Sequence, residues 1–312
     1  MNSDFLIARR GLMAIVAISY VSVFVLAKIV GFKIDYAQIA QFVGYFLIVA
    51  VAAHFYCSHR KLGRLAAISD AMACGLLLTA PIVVSTYLAI NVKMPLADDV
   101  LSSWDVALGV DWRELIKFVD QSPVLAGALG FAYLSFLFQL MIVPAVLAAV
   151  GQLLRAYQML IAYALICFGA SFISIWFPAL GTYTIYNVVP SDLENINARY
   201  GYFFLEQFNA VRENPDFIFQ IRNTAGILTF PSVHAAGAAL CAWASWSIWS
   251  ARYPMLLLNV LMAASAVSHA NHYVVDVIAG IILAFVCVIF TRRLTSAPPI
   301  AEKSHREAIV AA

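Results

Sequence analysis

The stretch His272–Thr291 reads HYVVDVIAGIILAFVCVIFT. Beyond Asp276 it runs from Val277 to Thr291 without a charge and then meets Arg292-Arg293. A spanning helix needs about 20 mostly apolar residues. The stretch therefore predicts a transmembrane helix with a basic flank at its far end. Its start carries a histidine and an aspartate four residues apart, which share one face of a helix. Ionisable groups at membrane depth are costly, so they are functional candidates by default.

Working outward, seven more apolar stretches cover approximately residues 11–30, 37–56, 66–91, 124–150, 156–180, 232–250 and 254–270, with the quoted one as 272–291. The division between the last two falls at Ser268–Asn271. The expected fold is an all-α polytopic bundle of about eight spans. Composition agrees: 63% of the 312 residues are hydrophobic, 12% are charged, and mean hydropathy is +0.87. Soluble domains carry roughly 25% charged residues. The composition excludes an ordinary cytosolic enzyme, a disordered chain and a nucleic-acid binder. The first stretch follows Arg9-Arg10, but its apolar run is long for a signal peptide, so it is read as an uncleaved helix. The five cysteines lie in or beside apolar stretches and form no C-x-x-C pair, so they read as packing residues.

Charge placement sets the topology. With the N-terminus inside, the inner segments hold eleven basic and four acidic residues, and the outer segments eight basic and twelve acidic. Short basic loops stay cytoplasmic, so both termini are expected inside. Three parts follow: a two-helix extension over 1–65, a six-helix core over 66–291, and a disordered cytoplasmic tail over 292–312. Two long outer loops, 92–123 and 181–231, carry aromatic, amphipathic stretches of the kind that lie in a membrane interface.

Two clusters put histidines at one level, on the outer side. The first is Thr229-Phe230-Pro231-Ser232-Val233-His234, followed by Ala235-Ala236-Gly237. Proline fits a first helical turn, and a helix start offers free N–H groups to an anion. Ser232 adds a hydroxyl and His234 a proton. The bland alternative is a serine-capped helix start with an interfacial histidine. The second cluster is Ser268-His269-Ala270-Asn271-His272-Tyr273-Val274-Val275-Asp276. A carboxylate on one ring nitrogen fixes the tautomer and frees the other nitrogen as nucleophile or base. A structural His–Asp bond is the alternative here. His269 and His272 with Asp276 are also compatible with zinc, a reading that needs every imidazole to turn inward.

At Phe230-Pro231-Ser232-Val233-His234 and His272-Tyr273-Val274-Val275-Asp276 the chain resembles the phosphatidic acid phosphatase type 2 superfamily, over roughly residues 95–291. The match looks closer to the inositol-phosphotransferase branch, which includes the inositol phosphorylceramide synthases and shows F-P-S-x-H-A and H-Y-x-x-D with a following glycine, as Gly280 here. Asp105–Trp112 also looks like a pattern of bacterial members. The resemblance implies a six-helix core with the motifs on the extracytoplasmic side and no cofactor or metal. It implies that His272 is the nucleophile that becomes a phosphohistidine, that Asp276 orients it, and that His234 is the acid and then the base. Ser232 and nearby N–H groups would hold phosphate oxygens. There are two departures. No Arg-Pro occurs in the chain, and Ser265-Ala266 stands where Ser-Arg is usual. Two basic phosphate clamps are unmatched, and the loop arginines Arg222, Arg212 and Arg199 are candidates to replace them, with Arg222 favoured by its place ten residues before Ser232.

The expected function is an integral-membrane lipid phosphatase or phosphotransferase. Its partners would be the bilayer, a phospholipid or polyprenyl-(pyro)phosphate substrate and, for transfer, an alcohol or glycan acceptor. A bacterial inner membrane is the expected location. The alternative is a transporter or proton relay built on the same His/Asp cluster. Against it, the polar groups gather at one face instead of the midplane, and no inverted repeat is visible.

Overall fold

The computed structural model describes residues 3–296. Among these residues there is no β-strand, and Ile34 and Phe219 make an isolated parallel bridge. The long helices are α1 (Ser3–Ile29), α2 (Tyr36–His59) and α3 (Gly63–Asn91). The next loop holds α4 (Asp98–Ala107) and α5 (Trp112–Asp120). Then come α6 (Pro123–Ala149) and α7 (Leu153–Ser174). A second loop carries α8 (Thr182–Ile185), α9 (Arg199–Tyr202) and α10 (Leu205–Glu213). The chain closes with α11 (Val233–Ser245), α12 (Arg252–His269) and α13 (Val274–Leu294).

Among the described residues, six helices are long and apolar enough to cross a membrane: α1, α2, α3, α6, α7 and α13. The molecule is an all-α helical bundle of an integral membrane protein. All eight expected segments are helical, but their boundaries differ in places. The segment expected over 232–250 yields a helix of 13 residues, about 20 Å at 1.5 Å per residue, which is short of the roughly 30 Å hydrocarbon layer. Its end is fixed by α7: Arg155 Nε donates to Ala244 O at 2.9 Å, Arg155 also donates to Trp243 O, and its guanidinium lies over the Trp243 ring. A cation here adds a partner to carbonyls of the last turn, where the helix dipole favours positive charge. Residues 175–180, expected to end the fifth span, are not α-helical. At the other end of the chain, α13 runs to Leu294, so the first expected tail residues are helical; the tail from 297 on lies outside the described residues.

The two N-terminal helices flank the bundle. α1 packs on α3 and α7, and α2 on α3. Most of α2 is exposed, with Tyr45, Ile48, Phe55 and others bare, as a lipid-facing helix would be. Asp70 on α3 ties both to the core, accepting from Arg9 at 2.5 Å and meeting His54 Nδ1 at 2.7 Å.

At the opposite end, the two long loops interlock into one cap. Asp120 ends α5 and accepts from the N–H groups of Glu194, Asn195 and Ile196 at 2.9, 2.8 and 2.8 Å. Arg113 donates to Tyr186 O at 2.7 Å, and the Trp112 ring stacks on Tyr186. Ala97 N donates to Pro178 O. This cap holds the ends of α7, α11 and α13 in register, and both histidine motifs lie beneath it.

Candidate active site

Ser232 is the N-cap of α11, and its Oγ accepts from Ala235 N at 3.3 Å. Pro231 stands one residue before the cap, outside the first turn where it was expected, and its bond to Phe230 is cis. The hydroxyl expected to face an anion is thus also the cap; its hydrogen remains able to donate. Ser232 N donates to Asp276 O at 3.0 Å. The two motifs, more than forty residues apart in sequence, are therefore joined main chain to main chain. Gly280 makes this approach possible, since a Cβ there would run into Ser232 O and the Ala236 N–H.

His272 lies in the short link between α12 and α13. Its Nδ1 is 3.1 Å from Asp276 Oδ2, and the same oxygen accepts from Tyr273 N at 2.9 Å. With Asp276 ionised, the carboxylate can only accept, so in the neutral ring Nδ1 carries the proton and the lone pair is left to Nε2. Asp276 is fully buried and His272 nearly so. His234 is half-buried, on the first turn of α11. Its ring centroid is 6.4 Å from that of His272. Tyr133 and Phe136 of α6 bracket it, with centroids at 4.7 and 4.6 Å. Gly237 leaves the space that the Phe136 ring fills. The small-residue run after His234 thus admits the aromatic pair that aims the imidazole.

The sequence reading missed the residues that anchor the His272 link. Asp98 Oδ1 and Oδ2 accept from Gly181 N and Leu180 N at 2.8 and 2.9 Å, and Tyr273 donates its hydroxyl to Asp98 at 3.0 Å. Asp105 accepts from Val274 N and Val275 N, both at 2.9 Å. These are free N–H groups at the start of α13, where a negative charge is also favoured by the helix dipole. Burial pushes both carboxyls above the ordinary carboxylate range, and the N–H donors offset this only in part. Asn271 sits at φ 65°. Its side chain donates to Leu180 O and accepts from Thr182 Oγ1 and Tyr183 N. Gly181, at φ 89°, approaches Asn271 so closely that no Cβ fits.

The other candidates fall elsewhere. His269 is buried, bonded through Nδ1 to Ser268 Oγ at 2.9 Å, with Gly130 of α6 beside Nε2. Among the described residues no group of three or more His, Cys, Asp or Glu is placed to hold a metal ion. Arg222 is exposed and donates to Gln41 of α2 at 3.1 Å. It lines a cleft of about 1080 Å³ with Arg199, Tyr202, Glu206 and Asn223. Among the described residues no hydrogen bond or ion pair joins it to the histidine pair.

A buried carboxylate on one imidazole, a second imidazole facing it, and a helix start with a buried serine form a set that suits nucleophilic attack at phosphorus. The family model of the PAP2 superfamily matches residues 99–290. Neither the curated proteins nor the solved structures offer a match. The matched span takes in α4 from its second residue, both histidine motifs and nearly all of α13, more than half of the chain, and the chain belongs to the PAP2 superfamily.

Proposed function

We propose that this protein is a lipid phosphatase or phosphotransferase that works at the extracytoplasmic face through a phosphohistidine. His272 Nε2 attacks phosphorus, an N–P bond forms, and the bond from phosphorus to the leaving oxygen breaks. His234 gives its proton to that oxygen. It then takes a proton from the incoming water or alcohol, whose oxygen displaces His272. Asp276 holds the Nδ1 proton and stabilises the cationic ring. Ser232 Oγ–H and the N–H groups at the start of α11 face the phosphate oxygens, and Arg222 serves as a clamp drawn to the phosphate when substrate binds.

The observation that carries this reading is the His234–His272–Asp276 arrangement, with the rings 6.4 Å apart at centroid and the carboxylate on Nδ1. The two imidazoles are neighbours in one site, as a nucleophile and an acid acting on one phosphoryl group require. Water as acceptor gives phosphate release. An alcohol such as a polyol or a glycan gives transfer, to which the inositol-phosphotransferase resemblance inclines. The test is a panel of phospholipids and polyprenyl phosphates with phosphate release and alcohol transfer measured together. The wild type should turn over at least one class, and His272→Ala should lose it while remaining folded. Turnover by His272→Ala would remove the assignment.

A further inference from the structure

We propose that α4 is a strap seated on the lipid surface that positions His272 for reaction. α4 carries two different faces. Asp98, Leu101 and Asp105 are buried. Asp98 takes the hydroxyl of Tyr273, immediately after His272, and Asp105 takes the next two backbone N–H groups at 2.9 Å. Together with Asp276 on Tyr273 N, they give the three N–H groups and the hydroxyl that follow His272 a carboxylate partner.

The other face is apolar and bare. Val100, Trp104 and the C-cap residue Leu108, four apart, are 44%, 41% and 57% exposed. Residues at that spacing form one stripe along a helix. The rest of the exposed surface is mixed, with Asp99 and Ser103 polar and Val106 65% exposed. The stripe continues an existing apolar surface instead of standing alone. Trp104 packs on Phe177 and Phe230, and the exposed Phe172 and Trp176 at the end of α7, a spanning helix, lie just before Phe177 in the chain. A short amphipathic helix with a tryptophan on its apolar face, joined to the lipid-facing surface of a span, fits the membrane interface. The occupant is therefore the bilayer. Trp104 also meets Phe230, which stands two residues before Ser232, so lipid contact and the phosphate end of the site share one wall.

The strap deepens the proposed function and rests on its reading of His272 as the nucleophile. Asp98, Asp105 and Tyr273 are positioning residues, which act through the chain that follows the imidazole. Misplacing a reacting group by about 1 Å can cost on the order of 100-fold in rate.

The experiment uses the full chain in phosphatidylcholine–phosphatidylglycerol vesicles. The five native cysteines are all buried, so nitroxide labels can be placed at Val100→Cys, Leu108→Cys and, on the far side, Val106→Cys. Labels at 100 and 108 should favour oxygen over a water-soluble nickel chelate, and the label at 106 should favour the chelate; three chelate-accessible labels would overturn the lipid seat. In parallel, Tyr273→Phe and Asp105→Asn should lower kcat about 10- to 100-fold with KM within about twofold. Both should speed amide exchange in the peptide 268–280. Tyr273→Phe removes one hydroxyl only, so it keeps the test alive if Asp105→Asn does not fold. Faster exchange with wild-type kcat, or lost kcat with unchanged exchange, would overturn the positioning role. If His272→Ala proves active, the nucleophile reading falls, while label accessibility and exchange still decide the strap.

Discussion

At the scale of single residues, the site depends on polar groups that have no freedom to move. Asp276 is fully buried, and His272 and the Tyr273 N–H share one of its oxygens. A buried carboxylate left unpaired is costly, so each partner holds the others in place. Gly280 shows how little room there is. Alanine in a helix interior is favoured over glycine by about 1 kcal/mol. Here the added methyl would strike the Ser232 carbonyl, a backbone group that cannot turn aside. Overpacking costs about 1–3 kcal/mol, so the collision outweighs the propensity. Gly280→Ala should lower both melting temperature and kcat. Gly127→Ala, on α6 with open space around it, should lower neither. Equal behaviour of the two variants would contradict the close approach of α13 to Ser232. Both histidines and Asp276 were legible in the sequence, because each breaks an apolar pattern. The anchors were not. Asp98 and Asp105 sit in a stretch whose acidity looks like an ordinary solvated loop, and only the fold shows that they are buried on one face.

At the scale of elements, the helices start and stop where side chains meet unpaired backbone groups. Asp35, Asp111, Ser122 and Ser232 each accept an N–H in the first turn of the helix they cap, which satisfies donors that would otherwise lack a partner. The same chemistry joins loops. Burial alone would raise the Asp120 carboxyl, but the N–H groups of Glu194, Asn195 and Ile196 outweigh it and hold it below the ordinary carboxylate value. A lowered carboxyl stabilises the fold above its unfolded value, and that contribution is lost as pH falls through the folded one. Asp120→Asn should therefore melt below wild type at neutral pH, with the gap closing as pH falls below the ordinary carboxylate range. A gap that holds at all pH values would mean that packing, and not charge, is what the variant loses. Hydropathy located the long helices well because each must fill a lipid-thick layer. It overextended the segment at 232–250, because Arg155, 89 residues before Ala244, ends α11 from another helix, and no local pattern carries that contact.

At the scale of the molecule, the bundle separates two jobs between its ends. One end holds the Arg9–Asp70–His54 cluster that ties α1 and α2 to the core. The other end gathers two sequence motifs and two long loops over one buried His–Asp pair. The charge bias of the loops predicts that this second end faces away from the cytoplasm. The central claim is covalent chemistry at His272, and its most direct test is capture of the intermediate. Protein in vesicles is mixed with a lipid phosphate labelled at phosphorus, quenched in alkali, where phosphoramidates survive, and digested for mass spectrometry. Label is expected on the peptide containing His272, none in His272→Ala, and loss of label on acid treatment. Sustained turnover with no label on that peptide, or label that persists in His272→Ala, would contradict it.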